Sequence, residues 1–205
     1  MKTKVDAAVS ASRSPSRGPC FVYIAPCSYE DILKLGFSRD PLQRLQTLHR
    51  RCFEFFDLEE TILIATETVR DARNMELKLR CEIELHNAPA PLVIRHEAGG
   101  ETEWYRGAYD HLLKFAESFS EQGYVVLRPA RPWLRKQLLS QTDRLFAWSN
   151  EVISAMQSNP TAPDLLAAFR LQLLDALDAC SAFEIDVQSI VPSAVYAWYR
   201  DEARR

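Results

Sequence analysis

Residues 34–48, KLGFSRDPLQRLQTL, constrain the fold most tightly, because an extended apolar run there hands over to a helix at one defined point. The Asp40 carboxylate suits the free amides of a first helical turn, and Pro41 fits the first helical position. Leu42, Leu45 and Leu48 then recur at helical spacing, predicting a helix that runs to about Arg50. Upstream lie two short runs rich in aromatic and β-branched residues, Phe21 to Ala25 (FVYIA, closed by Pro26) and Ile32 to Phe37 (ILKLGF). They read as two strands joined by the loop from Ser28 to Asp31.

The pattern continues with a strand over Leu58 to Thr66. A helix from Asp71 to about Leu85 follows, with Ala72, Met75, Leu79 and Ile83 on one face. Residues 87–100 hold two prolines and a Gly-Gly pair and read as a long excursion. A short extended piece, Glu103 to Tyr105, leads into a helix from Tyr109 to Glu121 that Gly123 stops. The order β, β, α, β, α, β, α predicts an α+β domain over residues 19–130, with a central, mainly antiparallel three-stranded sheet flanked by helices.

The flanks read differently. Residues 1–18 carry Ser, Ala, Arg and Lys without apolar periodicity and are expected to be a disordered tail. Residues 131–205 form an all-helical C-terminal region. One long amphipathic helix from Pro132 carries Leu134, Leu138, Leu145, Trp148, Val152 and Met156 and ends at Asn159 and Pro160. A second opens with Thr161 and Pro163 and carries Leu166, Phe169, Leu173 and Leu177, and a third spans Ser193 to Ala203. So few helices rarely make a core of their own, so they are expected to pack on the first domain or on a partner, a second copy or another protein.

The 205-residue chain has a formal charge of -3, which excludes a protein that coats nucleic acid through bulk positive charge. A local basic stretch remains: Arg17 to Arg51 holds six Lys/Arg against three acids, and it offers Arg39, Arg50 and Arg51 as nucleic-acid contacts. No apolar run approaches the ~20 residues of a bilayer span, and the N-terminus lacks the apolar core of a secretory signal. The five cysteines are scattered, with no CxxC pair, as expected of reduced thiols in a cytoplasmic protein. Walker, GxSxG and GxGxxG signatures are all missing from the sequence.

Four elements stand in register: Tyr23 within FVYIA, the KLG run of Lys34, Leu35 and Gly36, Arg44 on the capped helix, and Glu76 on the next helix. Tyr23 precedes Lys34 by eleven residues, Lys34 precedes Arg44 by ten, and EWY (Glu103 to Tyr105) comes later. This pattern resembles the GIY-YIG endonuclease superfamily, most closely the bacterial and phage branch whose second motif reads Lys-Ile-Gly. The resemblance spans roughly Phe21 to Phe119, about half the chain. Phe21 and Val22 stand where the first motif has Gly and Ile, and Lys34 replaces the second-motif tyrosine.

The resemblance implies a metal-dependent DNA endonuclease. Glu76 would hold Mg²⁺ or Mn²⁺, with Glu82 of ExxLH as the alternative, Tyr23 would take or relay the proton of the attacking water, and Arg44 would brace the phosphate. Lys34 would contact the phosphate or lower a neighbour's pKa. The residue types suit that chemistry, since a carboxylate binds a hard cation and a guanidinium fork matches phosphate oxygens. A phenol, with an unperturbed pKa near ~10, needs nearby positive charge to act as a base. Ordinary structural roles stand beside these: Arg44 paired with Asp40, Glu76 paired with Arg73 or Arg80, and Lys34 guarding a sheet edge. Two other functions remain open, a degenerate module that binds nucleic acid without cutting it, and an adaptor that works through the C-terminal helices.

Overall fold

A computed structural model describes residues 17–158 and 163–202. The expected tail falls outside them as far as residue 16, whereas Arg17 and Gly18 already belong to the first strand. The architecture is α+β. Strands β1 (Arg17–Pro26) and β2 (Ile32–Ser38) form the antiparallel hairpin and lead into α1 (Pro41–Leu48) and the short α2 (Cys52–Phe55). Strand β3 (Ile62–Thr68) pairs antiparallel with β1 and feeds α3 (Val69–Glu82). Then come β4 (Asn87–Ala88), β5 (Trp104–Arg106), α4 (Tyr109–Glu121) and β6 (Val126–Leu127).

The sheet has six strands rather than the expected three, in the order β4-β5-β2-β1-β3-β6, every pairing antiparallel. The three expected strands form its centre. The added strands are two or three residues long. Segments this short show no alternation of their own and become strands only by bonding to a neighbour's edge.

Local chemistry sets the element ends. Asp40 accepts from the Gln43 amide at 2.9 Å and caps α1, which stops at Leu48, two residues early, because His49 turns extended. Helix α3 begins at Val69, ahead of the expected Asp71, because Thr68 supplies the cap, accepting from the Asp71 amide at 3.1 Å. The expected long C-terminal helix is two, α5 (Arg131–Leu139) and α6 (Thr142–Ser158). At the break the Ser140 and Thr142 hydroxyls donate to the carbonyls of Gln137 and Leu139, at 2.7 and 2.9 Å. Helices α7 (Pro163–Ala182), α8 (Val187–Ile190) and α9 (Ser193–Glu202) complete the mostly helical C-terminal region. The expected residues Asn159, Pro160, Thr161 and Ala203 lie outside the described set.

Each sheet face has its own core. Val22, Ile24, Leu33, Leu35, Ile62 and Ile64 pack on Ala72, Met75 and Leu79 of α3 and on Leu112, Ala116 and Phe119 of α4. The alternate residues Tyr23, Ala25, Ile32, Leu63 and Trp104 face α1, α2 and the C-terminal helices. That second core runs without interruption from Leu42 and Leu45 through Leu134 and Val152 to Leu173, Leu177 and Val195. The C-terminal helices therefore cover the sheet face that carries Tyr23. Among the described residues no helix is long and apolar enough to cross a membrane.

Candidate active site

The site forms where β5 runs out. β5 pairs with Ile32, Leu33 and Lys34 only, and the last backbone bond on that side runs from the Leu35 amide to the Glu103 carbonyl at 3.1 Å. At the next residue, Gly36, the Tyr23 ring crosses the strand: a Cβ there would lie 2.5 Å from the Tyr23 hydroxyl and 2.8 Å from Cζ. Tyr23 and Gly36 are register partners, so a side chain at 36 would compete with the phenol for the same space. That close approach is the physical reason for the glycine of KLG.

Lys34, 1% exposed, shares this face with Tyr23. Its ammonium donates to the Glu103 carboxylate (Oε2) at 2.8 Å, to the Leu35 carbonyl at 3.2 Å and to the Glu103 carbonyl at 3.3 Å. It also lies 5.7 Å from the Trp104 ring centroid, within cation–π range. Burial pulls the Lys34 pKa down to about 8 against the opposing pull of Glu103. For Glu103, burial alone would raise the pKa, yet Lys34 and Arg80 hold the carboxyl below its ordinary value. The pair is therefore ionic near neutrality.

Helix α3 brings Glu76 to the same place, 4% exposed and 3.4 Å from Arg80 Nη1 (Glu76 Oε1) one turn on. Arg80 also reaches the Glu103 carboxylate at 3.7 Å. Burial raises the Glu76 pKa, with Arg80 and Lys34 opposing. Glu82, the alternative, is exposed further along the helix. From α1, the Arg44 guanidinium comes near enough to Tyr23 and Lys34 to act on both electrostatically. The Tyr23 pKa nevertheless moves up, because burial outweighs Arg44, and Glu103 and Glu76 add to the rise. Arg44 alone thus does not offset the burial of the Tyr23 phenol.

Tyr23, Lys34, Arg44 and Glu76 are thus brought together, and Glu103, Arg80 and Tyr105 join them. Arg80 was expected only as a surface partner for Glu76, and Glu103 as a minor candidate for the site. Arg44 does not pair with Asp40. Its guanidinium donates to the carbonyls of Ala98 at 2.6 Å and Gly99 at 3.3 Å, in the excursion between β4 and β5. The Gly99-Gly100 pair was the sequence signal for that contact.

The three arginines offered as nucleic-acid contacts lie apart from this cluster. Arg39 is exposed between β2 and α1. Arg50 faces Asp175 at 3.5 Å, and Arg51 binds Glu54, Asp175 and Asp178 at 2.6, 3.2 and 2.8 Å, which ties the end of α1 to α7. Beside them a cavity of about 560 Å³ is lined by Arg50, Trp148, Leu145 and Asp175. None of the cluster's side chains lines it, and the convergence of ionisable groups, rather than volume, marks the candidate site.

The donor set suits one hard cation held lightly. Among the described residues no group of three or more His, Cys, Asp or Glu is arranged around a metal position. Mg²⁺, however, is commonly held by one or two carboxylates together with waters and substrate phosphate, and Glu76 is a buried carboxylate with only a 3.4 Å contact to Arg80. No protein-family model matches the chain. Searches of curated proteins and of solved structures likewise find no match.

Proposed function

We propose that this protein is a GIY-YIG-type nuclease that hydrolyses phosphodiester bonds in DNA, with its site at the Gly36 end of β2. The grouping of Tyr23, Lys34 and Arg44 on one sheet face, with Glu76 joined to them through Arg80 and Glu103, supports this reading, since these residue types together suit phosphate chemistry. Arg44 binds two oxygens of the phosphate with its fork. Lys34 adds the second positive charge, steadied by Glu103, and offsets charge developing on the phosphate. Tyr23, kept as a phenol by burial, orients the attacking water through its hydroxyl. Glu76 would hold Mg²⁺ or Mn²⁺, and the chemistry such an ion would supply there is polarisation of the phosphate and a lowered pKa for the attacking water. Arg80 balances Glu76 and Glu103 and keeps both carboxylates aimed at the cluster.

The test is nicking of supercoiled plasmid with and without Mg²⁺ or Mn²⁺. The wild type nicks only with metal, and Glu76→Ala and Arg44→Ala each lose at least about a hundredfold in rate, the scale of a lost charge-stabilising group, while keeping the wild-type circular dichroism spectrum. Equal nicking by all three proteins defeats the reading. The raised Tyr23 pKa and the lysine in place of a second phenol favour one competitor, a module that binds nucleic acid without cutting it. Salt-dependent DNA retention with no cleavage under any metal would select it.

A further inference from the structure

The excursion between β4 and β5 is not needed to build the sheet. Ala88 and Trp104 are register partners, so residues 89–103 leave and return at neighbouring points. A hairpin closes such a gap with two to five residues. This one instead folds back so that its backbone lies on the cluster. The carbonyls of Ala98 and Gly99 take hydrogen bonds from both terminal nitrogens of Arg44, at 2.6 and 3.3 Å. A Cβ on Gly100 would lie 2.8 Å from Arg44 Nη2 and 3.0 Å from both Lys34 Nζ and Glu103 Oε2. Gly99 and Gly100 take φ of +63° and +75°, and through them the chain bends onto the two cations.

The two carbonyls hold the places that two oxygens of a bound phosphate would take on a guanidinium fork. They are neutral acceptors, whereas a phosphate adds the attraction of opposite full charges and matches the fork bidentately. The segment is otherwise lightly held. Leu92 and Val93 are exposed, Ala98 is buried with Ala90 and Ile94 packed only partly against the core, and the His96–Glu101 contact lies at the surface. Such segments open locally at small cost.

We propose that residues 89–102 are an autoinhibitory strap, which occupies the phosphate seat on Arg44 and lifts when an anionic nucleic-acid backbone displaces the Ala98 and Gly99 carbonyls. This rests on the reading of the cluster as a phosphate site and adds regulation to it.

Two proteins test it: the intact chain and a trimmed one in which residues 90–101 are replaced by Gly-Asn-Gly, keeping Asn87, Thr102 and Glu103. Phenylglyoxal modification of Arg44, read by peptide mass spectrometry, should be at least tenfold slower in the intact chain. Anisotropy with a fluorescein-labelled DNA duplex should show at least tenfold tighter binding by the trimmed chain, and Arg44→Ala in the trimmed background should remove that gain. Equal labelling, or faster labelling without tighter binding, overturns the strap. Should the trimmed chain not fold, amide exchange over 96–101 decides: Arg44→Ala or added duplex speeds it if the strap is latched on Arg44, and unchanged exchange in both cases overturns the proposal. An Arg44-dependent gain in binding without cleavage by either protein keeps the strap and removes the hydrolytic reading. Full nicking by the intact chain with no gain on trimming does the reverse.

Discussion

At the scale of single residues, Lys34 is where burial and charge meet most directly. Its pKa falls from 10.5 to about 8 in the fold, so between those values the unfolded chain binds the proton that the folded chain has released. Stability therefore rises with pH across that window, and below it the buried charge costs about 3 kcal/mol. The buried thiols of Cys27 and Cys52, both pushed up to about 12, act in the opposite sense as pH climbs past 9. The clean measurement is thus a difference. Urea unfolding of wild type and Lys34→Met at pH 7 and 9 should show the wild type gaining about 1 kcal/mol relative to the variant. DNA affinity at fixed ionic strength should fall over the same interval, since the ammonium is lost, and Lys34→Met should bind weakly and without that pH dependence. The chemistry at this scale was legible in part. The resemblance nominated Lys34, Tyr23, Arg44 and Glu76, because the order and spacing of residue types are written in the sequence. The direction of the Tyr23 shift was not legible, because desolvation depends on how much protein surrounds a group and sequence does not state that.

At the scale of elements, α1 is the part that delivers Arg44. Its N-terminus rests on one carboxylate, and the Arg44 amide donates to the Asp40 carbonyl at 3.0 Å, so cap and functional side chain are one turn apart. Asp40→Ala should cost about 1 kcal/mol of stability, read by urea unfolding, and should weaken duplex binding less than Arg44→Ala does. A larger effect on binding than that of Arg44→Ala would mean that Asp40 itself meets the ligand. Signals of this kind, Asp-Pro before a leucine period or Gly after a helix, survive in sequence because the backbone groups they satisfy are local. Hence α4 matches its expected limits and β1 and β2 contain their expected runs, whereas β3 starts at Ile62, four residues after the expected Leu58. The strands β4 and β6 carry no such signal, being created by a neighbour's free hydrogen bonds. The break between α5 and α6 likewise came from two hydroxyls that prefer carbonyls of the preceding turn.

At the scale of the whole molecule, the C-terminal helices belong to the same core as the sheet. Phe21 packs on Trp133 with ring centroids 4.8 Å apart, the Ala130 amide donates to the Thr61 carbonyl at 3.0 Å, and Arg135 Nε donates to the Phe183 carbonyl at 2.9 Å. A chain ending at Ala130 would present Leu42, Leu45, Phe55 and Phe56 to water. It should be insoluble or bind a hydrophobic dye where the full chain does not, as dye fluorescence and light scattering would report. A soluble, monomeric fragment with the unfolding midpoint of the full chain would mean that the helices are an independent appendage. The basic stretch illustrates the same scale. Sequence shows that Arg50 and Arg51 are charged, yet Asp175 and Asp178, more than 120 residues away, take part of that charge into the contact between α1 and α7.

The chain by itself determined whatever is local or periodic: the hairpin, the capped helix, and the helical character after residue 131. Tertiary structure alone decided how far each charge is desolvated, that Glu103 rather than water meets Lys34, that the Tyr23 ring fills the space over Gly36, and that a backbone strap sits on Arg44. The division has one physical origin. Hydrogen bonds to near neighbours and side-chain periodicity are functions of sequence separation, whereas desolvation and long-range pairing are functions of distance in space, which exists only once the chain has folded.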